Sequence, residues 1–236
     1  MHAKTHDIVI VGAGIAGLYA LIRARRQGLA AVVLERGDDI GGTWYWNRYP
    51  GARCDVESFD YSYSFDEDLQ QEWTWSEKYA TQPEILAYIH HVADRYQLHA
   101  DVQLRRNVTQ AVWDEQRLMW TVVTEDGDQF VAPNVIMATG VLSTPKIPDI
   151  SGLDDFAGEI YNSAHWPEQG VDFSGKRVAV MGTGSTGIQI IPEVAQSAAH
   201  VFVLQRTPSF SLPARNRALT EGDNRLVKES YGSFRE

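Results

Sequence analysis

Two glycine-rich stretches hold the residues whose type and spacing point most directly to chemistry. Gly12–Gly17 follows the apolar run Ile8–Val11, and Gly182–Gly187 follows the apolar run Val178–Met181. Both stretches fit the pattern G-x-G-x-x-G, in which the glycines let the backbone approach a pyrophosphate at the amino end of a helix. Because each stretch has a strand-like run before it and a helix-like run after it, the sequence predicts two dinucleotide-binding loops.

The residues that close the next apolar run differ in charge between the two loops. Ala31–Leu34 is followed by Glu35, whereas Val201–Leu204 is followed by Gln205 and Arg206. In a βαβ unit this position meets the adenosine ribose. A carboxylate there accepts hydrogen bonds from both ribose hydroxyls and repels a 2′-phosphate, whereas an arginine pairs with that phosphate. We therefore expect FAD (or NAD) at the first loop and NADPH at the second, which indicates flavin redox chemistry.

The elements that must position these loops follow from the periodicity of the apolar residues. Helical spacing follows the first loop and returns after Thr81, while the segment 36–80 between them is rich in aromatic residues and has little periodicity. Later stretches alternate between apolar and polar residues, which is typical of strands in a small β-meander. The predicted elements are a helix Ile15–Gln27, strand-like stretches Val102–Val112, Met119–Thr124 and Phe130–Val131, and a strand Asn134–Ala138.

The order of these elements predicts an α/β protein with two Rossmann-like dinucleotide-binding units and a small β-meander. We expect an FAD-binding domain in 1–140, a linker in 141–175 and an NADP-binding domain in 176–236. The second unit shows only two strands before the sequence stops, so we expect this unit to be incomplete and its domain truncated. From Thr207 onward the periodicity is lost, and no further regular element is predicted.

The composition indicates a globular protein and argues against several partners. The net charge of the 236 residues is −10, so nucleic acid and anionic membrane surfaces, which attract basic proteins, are not expected partners. Cys54 is the single cysteine, which fits a reducing cytoplasm. No apolar run approaches the roughly 20 residues that span a bilayer. His90 and His91 lack the clustered partners that a metal site needs, so no metal is expected.

A longer motif carries a resemblance to a known family. The segment Gly41–Asp55 reads G-G-T-W-Y-W-N-R-Y-P-G-A-R-C-D, and the segment Phe156–Pro167 reads F-A-G-E-I-Y-N-S-A-H-W-P. Together with the two loops, these segments resemble the type I Baeyer–Villiger flavin monooxygenases. The resemblance runs from Asp7 through Arg217, and it matches only the N-terminal portion of such enzymes, which are considerably longer.

The resemblance implies an activity and its partners. Members of the family use NADPH to reduce FAD and then insert one oxygen atom of O₂ next to a ketone carbonyl, which yields an ester or a lactone. The implied cofactors are FAD and NADPH, and the implied substrates are a small-molecule ketone and O₂. Because the C-terminus looks cut off, a complementing C-terminal chain is a further expected partner.

The resemblance also implies which residues contact each nucleotide. Those expected at the FAD are Gly12, Gly14, Gly17, Glu35, Thr43, Trp44 and Trp46, with Asp55 and Tyr61 lining the same site. Those expected at the NADP are Arg53 and Asp55 at the nicotinamide end, and Thr183, Gly184, Ser185, Thr186, Gly187, Gln189, Arg206 and Thr207 at the phosphates and ribose.

Two positions of the family pattern bear on catalysis. By resemblance, Asp55 orients an arginine that stabilises negative charge at the reacting centre, and that arginine lies C-terminal to the matched region. Asn162 occupies the position of the signature histidine, and His165 lies nearby at a different spacing. Asparagine donates and accepts hydrogen bonds but cannot hold a positive charge. We therefore expect nucleotide binding to survive and oxygenation to be slower or uncoupled.

Three other functions stay open. A flavin monooxygenase that oxidises nitrogen or sulfur atoms shares both loops, although Gly41–Asp55 disfavours it. A flavin–NADPH reductase that leaks peroxide is the second. The third is a nucleotide-binding fragment without turnover, because the arginine is missing and the second unit is incomplete. An incomplete unit exposes sheet edges and apolar faces, which predicts poor solubility or assembly with another chain.

Overall fold

The computed structural model describes residues 4–234 and divides the chain into two compact lobes. Lobe 1 comprises the chain through Trp46 together with Leu86–Thr144, and lobe 2 comprises Asn47–Ile85 together with the chain from Pro145. This contact-based division differs from the predicted domain boundaries, which are continuous in sequence. It does so because Asn47–Ile85, which holds most of the aromatic-rich segment, groups with the chain from Pro145. The nucleotide assigned to each predicted domain stays a prediction.

Residues 4–234 contain both strands and helices. The strands are β1 (Lys4–Thr5), β2 (Ile8–Val11), β3 (Ala31–Leu34), β4 (Val102–Gln103), β5 (Val108–Asp114), β6 (Met119–Thr124), β7 (Gln129–Ala132), β8 (Asn134–Met137), β9 (Arg177–Met181) and β10 (His200–Leu204). The helices are α1 (Ile15–Arg26), α2 (Thr43–Trp46), α3 (Glu67–Glu72), α4 (Gln82–Arg95), α5 (Ser185–Ala195), α6 (Glu221–Glu229) and α7 (Tyr231–Phe234). The predicted α/β class is confirmed.

A parallel sheet forms the centre of lobe 1. Its strand order is β4-β3-β2-β8, and each neighbouring pair is parallel. All residues of β2 and β3 are buried, as expected of central strands covered on both faces. Helix α1 contacts β2 and β3, and its apolar residues Leu18 and Leu21 are fully buried. The sequence-predicted strand–loop–helix–strand order of the first loop is confirmed.

A second sheet of lobe 1 has the order β1-β7-β6-β5 and contains the predicted meander. Val122 and Phe130 of this sheet pack with Val9 and Val32 of the parallel sheet in one buried cluster. The single stretch predicted for Val102–Val112 is wrong, because β4 joins the parallel sheet and β5 begins the meander. The chain turns between these strands, where Arg105 adopts a positive φ of 56°.

Lobe 2 contains a two-stranded parallel sheet, β9 beside β10. Helix α5 contacts both strands, and its residues Ile190 and Val194 are buried in a cluster with Phe173. On the opposite face, the side chains of Met181 and Leu204 are 60% and 49% exposed. Within the described residues the sheet has only these two strands, as predicted for the second unit, and it leaves an apolar outer face exposed.

Helix α6 lies in the region where no element was predicted, so that expectation is wrong. Its amino end carries a capping box, in which the Thr220 hydroxyl accepts from the Asp223 amide and the Asp223 carboxylate accepts from the Thr220 amide. The Arg217 guanidinium, and then the Thr220 amide and hydroxyl, donate to the Asp223 carboxylate and hold the pKa of Asp223 well below its ordinary value. The buried Asn224 side chain accepts from the Trp75 amide and donates to the Trp75 carbonyl, which docks α6 on the aromatic-rich segment.

Residues 4–234 include no helix long and apolar enough to cross a membrane. Over the same range no three histidine, cysteine, aspartate or glutamate side chains are grouped as a metal ion would require. The His90 ring lies 3.2 Å from the Asp39 carboxylate, and among the described residues no cluster of metal-ligating side chains includes it.

Candidate nucleotide-binding sites

The first glycine loop depends on two positions that exclude a side chain. Gly12 has a φ of +104°, and a methyl group there would lie 2.5 Å from the carbonyl oxygen of Ala138. A methyl group at Gly17 would collide with the carbonyl of Gly12, so the helix can approach the loop only without a Cβ at that position. The glycines therefore bring β2, the loop and the strand end after β8 into direct backbone contact.

The loop leads into the amino end of α1 in a geometry suited to an anion. Gly14 is the cap residue of α1 and has no side chain to satisfy the amides of the first turn. Backbone amides at a helix start carry partial positive charge and bind phosphate oxygens. Gly14, with the rest of the loop, is thus positioned to hold a pyrophosphate.

Glu35 lies directly after β3 and closes this site. One carboxylate oxygen accepts from the Ala13 amide at 2.7 Å, and the other accepts from the Gly37 amide at 2.8 Å. The residue is only 4% exposed, so the loop fixes its carboxylate in one orientation. Each carboxylate oxygen has a second lone-pair direction, so Glu35 can still accept from a pair of ribose hydroxyls.

The motif around helix α2 packs against the first loop. The Gly41 amide donates to the Ala13 carbonyl at 3.0 Å, and a methyl group at Gly42 would lie 2.8 Å from the Cα of Gly14. Helix α2 then presents Thr43 and the buried Trp44. The residues predicted for FAD up to Trp46 therefore all belong to lobe 1, grouped around one loop.

Arg36 is a residue of this region that the motifs did not single out. Its guanidinium lies 4.5 Å from the centre of the Trp46 ring, and it also donates to the Ser143 carbonyl. A cation over an aromatic face is held electrostatically. Arg36 is thereby occupied at Trp46, so the arginine beside Glu35 is not extended toward a ribose phosphate. The sequence alone does not distinguish Arg36 from Arg206, because each is the second residue after its strand. Only the residue before the arginine differs between the two units, Glu35 in the first and Gln205 in the second.

The second loop repeats the backbone geometry with more open surroundings. Gly182 has a φ of +101°, and a methyl group at Gly187 would collide with the carbonyl of Gly182, as in the first loop. Gly184 is the cap residue of α5, and Ser185 and Thr186 form the start of that helix. A methyl group at Gly182 would meet no atom within 4 Å. The loop is therefore shaped for the same kind of ligand without a third strand packed against it.

The strand end beside the second loop carries a neutral amide in place of a carboxylate. Gln205 donates from Nε2 to the Thr183 hydroxyl at 2.7 Å, and it stands where Glu35 stands in the first lobe. Arg206 and Thr207 follow as exposed residues. A neutral side chain followed by an exposed arginine permits a phosphorylated ribose at this place, because no fixed negative charge opposes it.

The remaining predicted site residues belong to lobe 2. Arg53 forms an ion pair with Glu77 at 2.8 Å and donates to the Tyr79 carbonyl at 3.3 Å, and its backbone contacts Gln189. Asp55 is exposed and Tyr61 is half-buried. The expected contacts of Asp55 and Tyr61 with FAD, and those of Arg53 and Asp55 with NADP, stay predictions. The expected role of Asp55 toward an arginine also stays a prediction.

Asn162 acts locally as a capping residue. Its Oδ1 accepts from the Ala164 amide at 2.9 Å at the start of the short 3₁₀ turn Ser163–His165, and its Nδ2 donates to the Lys146 carbonyl at 3.4 Å. An asparagine at this position therefore orders the turn that follows it. The expected effect on oxygenation stays a prediction.

Glu77 is a second site residue for which the sequence offered no motif. It accepts from the Arg53 guanidinium and from the Asn216 amide, and these contacts, the Arg53 hydrogen bond first, lower the pKa of Glu77 from its ordinary value of 4.5. Because the side chain is about one-third exposed, solvent screens the pair. Its contribution to stability is therefore modest.

Replacing Glu77 with glutamine is expected to lower the free energy of unfolding by at most about 1 kcal/mol at neutral pH. A lowered pKa in the folded state means that the stabilisation is present above pH 4.5 and is lost as the pH falls through the lower folded-state value. Urea unfolding of both proteins across pH 3–7 should show curves that converge at the acid end. Glu229→Gln, an exposed carboxylate on α6, is the control, and a difference that is constant with pH would contradict the prediction.

The chain is similar to several known proteins along most of its length. The family model described as pyridine nucleotide-disulphide oxidoreductase matches residues 9–218. An acetone monooxygenase (methyl acetate-forming) of Gordonia sp. strain TY-5 is 42% identical over 236 residues, which is 100% of this chain and 44% of that protein. A phenazine N-monooxygenase of Lysobacter antibioticus is 44% identical over 220 residues, 92% of this chain and 40% of that protein.

Solved structures agree with this relationship. An oxidized steroid monooxygenase bound to NADP superposes with a TM-score of 0.94 at 55% identity, covering 97% of this chain and 44% of that one. Further relatives carry the name Baeyer–Villiger monooxygenase, so the predicted resemblance to those enzymes is confirmed. The chain spans less than half the length of each relative described. Because the family model matches most of its length, the chain belongs to the pyridine nucleotide-disulphide oxidoreductase family.

Proposed function

We propose that this chain binds FAD at the first loop and NADPH at the second, as part of a Baeyer–Villiger monooxygenase. The observation that carries the proposal is the contrast between the two strand ends. Glu35 is a buried carboxylate oriented by two backbone amides, whereas Gln205 is neutral and Arg206 is exposed. The first end suits a bare ribose and the second a phosphorylated one.

The residues present fit both nucleotides. Gly12, Gly14 and Gly17 let a pyrophosphate reach the start of α1, and Thr43, Trp44 and Trp46 belong to a helix packed on the same loop. When bound, FAD would supply the electron transfer and O₂ activation, and NADPH would supply the hydride. The chain's own part is to hold and orient the two nucleotides through these amides and side chains.

The proposed substrate is a small-molecule ketone, oxidised with O₂ to an ester or a lactone. This assignment is supported by the Gly41–Asp55 motif and by the similarity to an acetone monooxygenase and a steroid monooxygenase. A second candidate is oxidation at nitrogen, which is favoured by the similarity to a phenazine N-monooxygenase. Turnover by either route is a property of the whole protein, of which Asp55 would be one catalytic contributor.

Further polypeptide is also proposed to cover the outer face of β9 and β10. Phe202 and Leu204 on that face are 39% and 49% exposed, and Met181 beside them is 60% exposed. An apolar face of this kind is costly in water. A complementing C-terminal segment, in this chain or another, would bury it.

The proposed location is the cytoplasm. It is supported by the single cysteine, Cys54, which is buried and free, as is usual for proteins of a reducing compartment.

Three measurements on the purified protein test the proposal in sequence. A flavin absorbance that survives desalting tests FAD binding, and bleaching by NADPH without oxygen tests hydride delivery. Incubation with NADPH, air and either a simple ketone or phenazine, followed by product analysis, separates ester formation from N-oxidation. Peroxide without an oxygenated product would support the reductase alternative. Failure to retain flavin would contradict the proposal at its first step.

A further inference from the structure

We propose that Gln189 is a positioning residue, which acts on the nicotinamide nucleotide through Arg53. The proposal deepens the proposed function and rests on it, because it assumes that NADP binds at the second loop. Gln189 was predicted from resemblance to contact the nucleotide directly. Its side-chain amide is instead directed to the segment Tyr49–Arg53.

The Gln189 amide pairs with both backbone groups of one residue. The Arg53 amide donates to Oε1 at 3.3 Å, and Nε2 donates to the Arg53 carbonyl at 3.1 Å. This arrangement has the donor and acceptor pattern of a neighbouring β-strand, but it is supplied by a side chain. The Tyr49 hydroxyl also donates to Oε1, at 3.0 Å. The Gln189 amide therefore fixes the backbone of Arg53 at two points.

The backbone between these contacts lies directly on helix α5. Gly51 has a φ of +77°, and a methyl group there would lie 2.5 Å from the Gln189 carbonyl oxygen. Only glycine combines this conformation with this approach. Tyr49 packs against the cluster that contains Ile190 of the same helix. The turn Tyr49–Arg53 is thus attached to α5 by both packing and hydrogen bonds.

The side chain of Arg53 is held independently of its backbone. Its guanidinium pairs with Glu77 at 2.8 Å, and Asn216 donates to the same carboxylate. Arg53 is therefore anchored at one end by α5 and at the other by Glu77. Because α5 begins at Ser185, directly after the glycine loop, Gln189 links the helix proposed to hold the phosphates to the arginine proposed to face the nicotinamide.

This role needs the chemistry of an amide. Methionine has nearly the same length but offers no hydrogen bond, and glutamate can only accept, so it cannot donate to the Arg53 carbonyl. Loss of the amide leaves the half-buried backbone groups of Arg53 without these partners. The expected consequence is a less well positioned arginine, with the glycine loop itself unchanged.

The test is NADP⁺ binding to the full chain, measured by calorimetric titration on four proteins: unaltered, Gln189→Met, Arg53→Ala and the double variant. Gln189→Met is expected to weaken binding about tenfold, the equivalent of about 1.4 kcal/mol. If Gln189 acts through Arg53, the double variant binds no more weakly than Arg53→Ala alone. Gln196→Met, at an exposed position after the same helix, is the matched control and should bind normally.

Each other outcome has a defined meaning. Additive losses in the double variant would show that Gln189 acts without Arg53, and normal binding by Gln189→Met would likewise overturn the inference. Should Gln189→Met fail to fold, Gln189→Glu retains the acceptor for Tyr49 and Arg53, loses the donor and adds a negative charge, so it must weaken binding in the otherwise unaltered protein and cause no further loss when Arg53 is alanine. An unaltered protein that does not bind NADP⁺ would instead refute the proposed function itself.

Discussion

Replacing Arg206 with glutamate is expected to lower the preference for NADPH over NADH about 100-fold, which corresponds to about 2.7 kcal/mol. The arginine follows β10 as an exposed residue, where it can pair with a ribose phosphate. The substitution removes a charge-assisted contact and places a negative charge opposite the phosphate. The measurement is the rate of flavin reduction by NADPH and by NADH under anaerobic conditions, and the coenzyme ratio is the first rate divided by the second.

A matched substitution separates this local effect from a change in net charge. Arg225→Glu makes the same change at an exposed position of α6, and we expect it to leave the coenzyme ratio unchanged. The flavin absorbance of both variants should remain normal, since the first loop is untouched. A ratio that is unaffected by Arg206→Glu would remove the main support for two different coenzymes.

Alanine at Gly12 is expected to lower the free energy of unfolding by at least about 3 kcal/mol and to abolish flavin retention. Two costs add at this position. The φ of +104° is unfavourable for any residue with a Cβ, and the new methyl group would meet the Ala138 carbonyl at 2.5 Å. Because the obstacle is backbone, it cannot rotate away as a side chain would.

The second loop supplies the control for this experiment. Gly182 has nearly the same φ, +101°, but a methyl group there would meet nothing within 4 Å. Gly182→Ala should therefore cost only the conformational part, about 1–2 kcal/mol. Urea unfolding of both variants gives the difference. If both variants lost the same free energy of unfolding, the close approach of the Ala138 carbonyl to Gly12 would not contribute to the cost.

The sequence allowed the loops and their strands to be predicted because their signals are local. The buried runs at Ile8–Val11 and Ala31–Leu34 have no polar interruption, and the glycines fall where the backbone must turn with positive φ. Helix α1 was predicted to within one residue of its observed end at Arg26. Periodicity and glycine placement are sufficient where each element is specified by its own residues.

The parts that were not predicted depend on distant contacts. Helix α6 is short and polar, and its docking relies on a buried Asn224 side chain paired with the backbone of Trp75. Its local sequence signal is the capping-box spacing of Thr220 and Asp223, which no apolar periodicity accompanies. The break between β4 and β5 likewise depends on a turn at Arg105 that no apolar pattern marks.

The candidate site shows the same division. The residues of the glycine loops and Glu35 were found from spacing, and the structure brings Glu35 into contact with Ala13 as that spacing requires. The partners of Arg53 could not be found in this way, because Glu77 belongs to no motif and the resemblance implied a contact of Gln189 with the nucleotide, not with Arg53. Their roles depend on which surfaces meet in lobe 2.

The path of the chain through lobe 1 has a consequence for biosynthesis. Strand β2 leaves the ribosome early, yet its neighbour β8 lies at Asn134–Met137, after the chain has departed at Trp46 and returned at Leu86. Until β8 is made, β2 is paired with β3 on one side only, and its other edge is an apolar strand edge at which chaperone binding and aggregation compete. Neither lobe can be expressed as one uninterrupted fragment, so an autonomous lobe 1 would require a redesigned junction between Trp46 and Leu86.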